Sequence, residues 1–346
     1  MTRKRVSLAG TALAVVWSAP AYASDETTLR IHHFLNTESV AHSQLLEPWA
    51  ERVAEASDGR LSVEVYPSMQ LGGAPPDLYD QVRDGIVDAA WTVAGYTPGR
   101  FPNTEVFELP FMPSTAEATS RAIQSLYEDT LNEDFQDVHV LMLHVHAPGT
   151  IHTRTTAVET LDDLEGLQLR APSRVMNDAL ETLGATAVGM PVPELPEALS
   201  RGVVDGAVIP YEVAQPLRVH ELVEHHTEVM ADRGLYSTVF IFAMNADTYD
   251  SLDPELRAVI DVESGESLAA QAGRIWDAAE EPGRAAAEEH GNTIHRLDED
   301  EVNRWIEASQ PAIDAWIDGF DGGDERAQAL YDEARERVET FTTDID

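Results

Sequence analysis

Hydrophobic and polar residues change periodicity repeatedly along this chain, and the changes predict alternating strands and helices. Leu29 to Asn36, LRIHHFLN, alternates enough for a first strand. From Ser39 to Ala56 the apolar residues Val40, Leu45, Leu46, Trp49 and Val53 recur near helical spacing. SDGR ends that helix. LSVEVYP then puts Leu61, Val63 and Val65 on one face and Ser62, Glu64 and Tyr66 on the other, as a strand requires. The result is a βαβ unit, for which a right-handed crossover is expected. LYDQVRDGIVDAAW repeats the form as helix, Gly85 and short strand, and VHVLMLHVH, Val138 to His146, reads as a further strand.

A second half begins near Gly149. LQLRAP is a strand, SRVMNDALETLG a helix stopped by Gly184, ATAVGMP extended, PELPEALSRG a short helix stopped by Gly202, and VVDGAVIP a strand. YSTVFIFAMN, Tyr236 to Asn245, is another long β run, and from Pro254 onward the chain reads as nearly all helical. Two α/β lobes with a helical tail fit this order. The length of 346 residues also exceeds one ordinary core.

The N-terminus has the form of an export signal. Arg3, Lys4 and Arg5 precede a short apolar run, Val6 to Val16, and Ala21-Tyr22-Ala23 is a small-x-small cleavage site. The run is too short for a stable membrane span. An exported, periplasmic protein cut near Ala23 is expected, with an uncleaved signal anchor as the alternative. The chain has no cysteine, so a lipid anchor on cysteine and disulfides are both excluded.

Acids dominate the charge. There are 62 Asp and Glu against 23 Lys and Arg, for a formal charge of −39, and Lys4 is the only lysine. Such a surface repels nucleic acid and anionic lipid. The acids are spread along the chain, as in DDLE, EHHTE and LDEDE, which is the pattern of a solvated shell in a salt-adapted host. Against that background Arg170 stands out: a permanent cation at the end of the strand LQLR, next to a proline-bounded loop. A guanidinium offers two parallel donors to a carboxylate, so Arg170 is either a ligand anchor or the partner of a neighbouring acid.

The ordered set of segments resembles the substrate-binding proteins of TRAP transporters, the DctP-like family. The resemblance rests on LDDLEGLQLRAPSRVMNDALETLGATAVGMPVPELPEALSRGVVDGAVIP, together with GRLSVEVYPSMQLGG, VRDGIVDAAW and FELPFMP. It implies a two-lobed periplasmic binding fold with helices crossing between the lobes and a ligand cleft closed by hinge motion. One lobe would take residues 24–148 plus 236–275; the other would take 149–235 plus 276–346. The resemblance also implies a non-enzymatic receptor without cofactor. Its partners would be a small organic acid and the small and large membrane permease subunits.

By position along the family pattern, Arg170 is the arginine that pairs with the solute carboxylate. Phe34, Trp91, Val93 and Tyr96 are expected at the cleft from the first lobe. His152, Ser173, Val192, Pro210 and Tyr211 are expected from the second, and Tyr236 near the crossing. Core packing is the alternative for each aromatic. Two departures weaken a dicarboxylate or sialic-acid assignment. Ile209 and Pro210 stand where many members carry an asparagine pair, and Ile151 or His152 falls nearest the position of a second arginine. A smaller or more apolar monocarboxylate, aromatic ones included, suits the sequence better. Glu212 could instead receive an amine, which admits a zwitterionic or cationic solute such as an amino acid, betaine-like osmolyte or amino alcohol.

A metal-dependent hydrolase is the remaining alternative, resting on histidines. HELVEHH fails the H-E-x-x-H pattern because Glu224 occupies the second histidine position. His144 and His146 share a strand face near His139, but no third ligand is identifiable. No nucleotide-binding or nucleophile-elbow motif occurs in the right context.

Overall fold

A computed structural model describes residues 26–345; the expected export signal at 1–23 lies outside the described residues. The strands are β1 Thr27–His33, β2 Leu61–Tyr66, β3 Ala89–Val93, β4 Val138–Val145, β5 Thr150–Thr153, β6 Gln168–Ala171, β7 Thr186–Gly189, β8 Gly206–Ile209, β9 His225–Glu228, β10 Val239–Asn245 and β11 Thr293–Arg296. The helices are α1 Glu47–Ala56, α2 Leu78–Arg83, α3 Ala116–Asp129, α4 Arg174–Thr182, α5 Leu195–Arg201, α6 Tyr211–Ala214, α7 Ala246–Ser251, α8 Pro254–Val262, α9 Gly265–His290, α10 Glu299–Asp318 and α11 Asp324–Ile345.

These strands form two sheets. The first runs β2-β1-β3-β10-β4 and the second β11-β9-β5-β8-β6-β7. In the first, β1 pairs in parallel with β2 and β3, as a helix between consecutive strands dictates. β10 inserts antiparallel between β3 and β4, so a strand from far along the chain completes the sheet. In the second, β6 pairs in parallel with β7 and β8, while β5 is antiparallel to β8 and β9. The helix expected over 39–56 is present, opening with a π-helical segment at Ala41–Leu46 before α1.

The helical reading beyond Pro254 needs one correction. Thr293–Arg296 is β11, an edge strand of the second sheet, parallel to β9. Thr293 follows the left-handed Gly291 that ends α9, so the chain turns back onto the sheet there. The helical tail then divides. α10 packs on α4 beside the second sheet, and α11 packs on α3 beside the first.

α9, 26 residues long, touches both halves. Its Asp277 carboxylate accepts from the backbone N–H groups of Ala116 (2.8 Å) and Glu117 (2.9 Å), which open α3. One turn on, Glu280 accepts from Tyr211 N (3.2 Å) and Glu212 N (2.9 Å), which open α6. Each carboxylate satisfies helix-terminal donors that would otherwise be orphaned. Two glycines allow the close approach. A Cβ on Gly273 would lie 2.3 Å from Glu117 Cα, and one on Gly283 would lie 2.3 Å from the Tyr211 carbonyl oxygen.

Gly273→Ala tests this docking. Alanine favours a helix over glycine by about 1 kcal/mol, but overpacking costs roughly 1–3 kcal/mol. Against backbone atoms the clash should win, giving net destabilisation in urea unfolding; a stabilised variant would show that α9 does not sit this tightly.

Candidate functional site: a buried cavity between the sheets

Between the two sheets lies a small cavity, with room for about 30 Å³ of solvent. Phe34, Val93, Tyr96, Tyr236 and Phe240 line it from the side of the first sheet and its connections. Arg170, Pro172, Val192, Pro210, Glu212 and Val213 line it from the second. Arg170 reaches it from β6, where it pairs in register with Ala207 of β8; Glu212 reaches it from α6, just beyond β8. The walls are mostly aromatic or aliphatic, with a few placed polar groups, as is usual for small-molecule sites.

Three polar contacts bridge the halves around this cavity. Asn36 Nδ2 donates to Pro216 O (3.0 Å), Val192 N donates to the Tyr96 hydroxyl (2.9 Å), and Arg174 Nη2 donates to Glu105 Oε2 (2.5 Å). Gly95 also approaches Ser173 so closely that a Cβ at position 95 would lie 2.4 Å from the serine Cβ. The two halves are therefore closed on one another.

Arg170 is 2 % exposed. Its Nε donates to Met190 O (2.8 Å) and Nη1 makes a long contact with Val208 O (3.5 Å), while Nη2 has no partner. Most other arginines pair with carboxylates, as Arg100 does with Asp80 and Asp137 and Arg284 with Glu228 and Glu288. Arg170 is in no such pair among the described residues, which answers the alternative of a neighbouring acid. Burial pushes the Tyr96 hydroxyl pKa up, and the Arg170 charge opposes that shift. Two further buried cavity atoms are unpartnered, Glu212 Oε2 and Thr238 Oγ1.

The charge states around the cavity follow from burial. The His146 pKa falls to about 4, mainly by desolvation, with Arg170 adding to the fall and the bond to Ala147 O opposing it. The Glu212 carboxyl is pushed well above its ordinary range, first by desolvation and then by the Glu280 carboxylate. Burial thus disfavours charge on both the imidazole and the carboxyl beside the Arg170 guanidinium.

Eight residues expected at the cleft line this cavity: Arg170, Phe34, Val93, Tyr96, Val192, Pro210, Tyr236 and Glu212. Four do not. Trp91 is fully buried behind it, stacked between Phe34 (5.1 Å between centroids) and Phe240 (4.7 Å), with its indole N–H donating to His144 Nε2 (2.9 Å). It shares a strand face with Val93 but lies two residues deeper, so those rings cover it. Tyr211 faces away, toward a larger opening lined by Glu280 and Arg284. Ser173 caps α4 by accepting from Met176 N (3.3 Å). His152 lies within the second sheet. Sequence reasoning missed His146, Thr238, Phe240, Ile209 and Pro172 as lining residues; the signal for His146 was a polar residue ending an apolar strand.

His152 belongs to a hydrogen-bonded chain. Its Nε2–H donates to Ile209 O (3.0 Å), so its Nδ1 accepts from His226 Nδ1–H (2.6 Å), and His226 Nε2 accepts from Asn292 Nδ2 (2.8 Å). Both rings are thereby neutral with fixed tautomers. Burial lowers the His152 pKa to about 4; burial and then neighbouring histidines lower that of His226 to about 2. Among the described residues no group of three or more His, Asp and Glu is placed to hold a metal ion, and no helix is long and apolar enough to cross a membrane.

The family model for bacterial extracellular solute-binding protein, family 7 (DctP), matches residues 31–318. The chain belongs to this family. Family 7 proteins are extracytoplasmic transport receptors, not a class of enzyme. A TRAP solute-binding protein from a marine metagenome, specific for aromatic acid ligands and solved with 3-hydroxybenzoate, is 45 % identical; the match covers 91 % of this chain and 99 % of that one, with a TM-score of 0.89. A TRAP solute-binding protein of Rhodoferax ferrireducens, solved with copurified benzoate, is 40 % identical over 92 % of this chain and 100 % of that one, with a TM-score of 0.90. The C4-dicarboxylate-binding periplasmic protein DctP of Rhodobacter capsulatus is 25 % identical over 308 residues, 88 % of this chain and 90 % of its own. The family 7 member described here shares their fold: two α/β sheets with a helical C-terminal region.

The histidine chain gives a pH prediction. Unfolded histidine takes a proton near pH 6.5, whereas folded His152 and His226 do so only well below it. Their contribution to stability is thus complete above pH 6.5 and is lost as pH falls toward 4. In urea unfolding, the stability advantage of the wild type over His226→Gln should shrink across that window; a constant gap would contradict the lowered pKa values.

Proposed function

We propose that this chain is the periplasmic receptor of a TRAP-type transporter and captures a small aromatic monocarboxylate, with the ligand carboxylate on Arg170. The observation that carries the reading is the Arg170 guanidinium: buried, without a carboxylate partner among the described residues of an acid-rich chain, and with Nη2 unpartnered at an aromatic cavity. A ligand carboxylate supplies the missing acceptor and the missing charge. Burial disfavours charge on His146 and on Glu212, so the lining suits a monoanion on the Arg170 guanidinium better than a dianion or a cation. Phe34, Tyr96, Tyr236 and Phe240 offer ring faces and edges to an aromatic body. The two relatives with 45 % and 40 % identity, crystallised with aromatic acids, support the same ligand class. The closed form would then be presented to the small and large permease subunits.

The test is calorimetric titration of the protein, freed of copurified ligand by unfolding and refolding, with benzoate, phenylacetate, succinate and betaine. Benzoate or phenylacetate should bind and the other two should not. Arg170→Lys should lose at least about tenfold in affinity, because an ammonium keeps the charge but not the two-pronged geometry. Binding of succinate or betaine alone, or an unchanged affinity in Arg170→Lys, would overturn the proposal.

A further inference from the structure

An anchor for the carboxylate leaves a second feature of the cavity unexplained. Glu212 is 5 % exposed and its Oε2 has no hydrogen-bond partner. Buried polar atoms are nearly always paired, and an orphan in a residue that lines a cavity marks a place where a ligand group can bind. Leu35, Pro210 and Val213 share that lining and offer it no side-chain donor, while the Trp276 indole N–H beside the carboxyl is itself left without a hydrogen bond. The backbone N–H of Glu212 is held by Glu280 at 2.9 Å, so the side chain is fixed at its base. Arg170 and Glu212 enter from different elements, β6 and α6, so they address different parts of a ligand.

We infer that Glu212 is a specificity-determining residue that hydrogen-bonds a hydroxyl on the ring of the bound acid, at a position away from its carboxylate. The preferred ligand class is then hydroxylated aromatic monocarboxylates, not the unsubstituted acid. This inference rests on the aromatic-acid reading of the cavity and deepens it.

A hydroxyl suits this site better than an ammonium group. Burial and the neighbouring Glu280 carboxylate both favour the uncharged form of Glu212, which can donate to and accept from a hydroxyl. An ammonium group would need an ionised partner and would share the cavity with the Arg170 cation. Sites built to hydrogen-bond a substrate hydroxyl also reject the analogue that lacks it, because their own polar atom is then left unpaired.

The experiment is titration of the wild type, Glu212→Gln and Glu212→Leu with benzoate, 3-hydroxybenzoate, 4-hydroxybenzoate, 3-methoxybenzoate and 3-(aminomethyl)benzoate. The wild type should bind at least one of the two hydroxybenzoates roughly tenfold or more tighter than benzoate, the size of one buried hydrogen bond. Methylating the hydroxyl should remove the gain. In Glu212→Leu the preference should fall to about onefold while benzoate still binds, which also shows that the variant is folded. Glu212→Gln, whose amide can donate and accept, should keep most of the preference. A preference that survives in Glu212→Leu, a preference lost instead in Thr238→Val, or a wild type that favours the aminomethyl ligand would each overturn the inference while leaving the aromatic-acid reading intact. Failure of the wild type to bind any of these acids would instead overturn that reading.

Discussion

α9 is the constraint on which the arrangement of the two sheets depends. It meets the first half through Gly273 and Asp277 and the second through Gly283 and Glu280. At each contact the glycine removes a side chain so that backbone can approach, and the carboxylate satisfies the donors thus brought near. The contacts made through Gly283 and Glu280 fall on Tyr211 and Glu212, so the strut that orders the fold also sets the wall of the cavity. Both carboxylates are half-buried, and the desolvation raises their pKa values, that of Glu280 to about 7. Caps of this kind are strong because the groups they satisfy are few and fixed, not because the charges are comfortable.

The cavity reverses the electrostatics of the rest of the molecule. Outside it, acids outnumber bases and cations are absorbed into ion pairs on the surface, where each contributes little. Inside it, a guanidinium sits without a counter-ion among the described residues, and burial disfavours charge on His146 and Glu212 beside it. Burying an unpaired cation is costly unless something completes it. Backbone oxygens of Met190 and Val208 meet part of that need and leave Nη2 over. That remaining donor, set among ring faces, defines the chemistry of the site more sharply than the shape of the cavity does.

Much of this architecture was legible because its elements carry strong local signals. The run from Leu167 to Ile209 alternates strand and helix, with Gly184 and Gly202 at the helix ends. The strands β5, β9 and β11 were not foreseen. Each is four residues long, and TIHT, HHTE and TIHR show no clear alternation; their pairing is set by partners distant in sequence. The same reason separates the foreseen lining residues from the missed ones. Arg170, Pro210 and Glu212 lie at strand ends that a linear reading locates. Phe240 and Thr238 reach the cavity only because β10 inserts between β3 and β4, and Trp91 is excluded only because Phe34 and Phe240 stack over it.

The contact between Gly95 and Ser173 separates two properties that most binding sites combine. Position 95 does not line the cavity, yet the space between it and position 173 is smaller than a methyl group. A residue there acts on how far the two halves can come together, and not on what they come together around. Retention of a solute and choice of a solute are therefore written at different places in this chain. A lineage could change how long it holds its cargo by altering one rim position, while the chemistry it recognises stays the same.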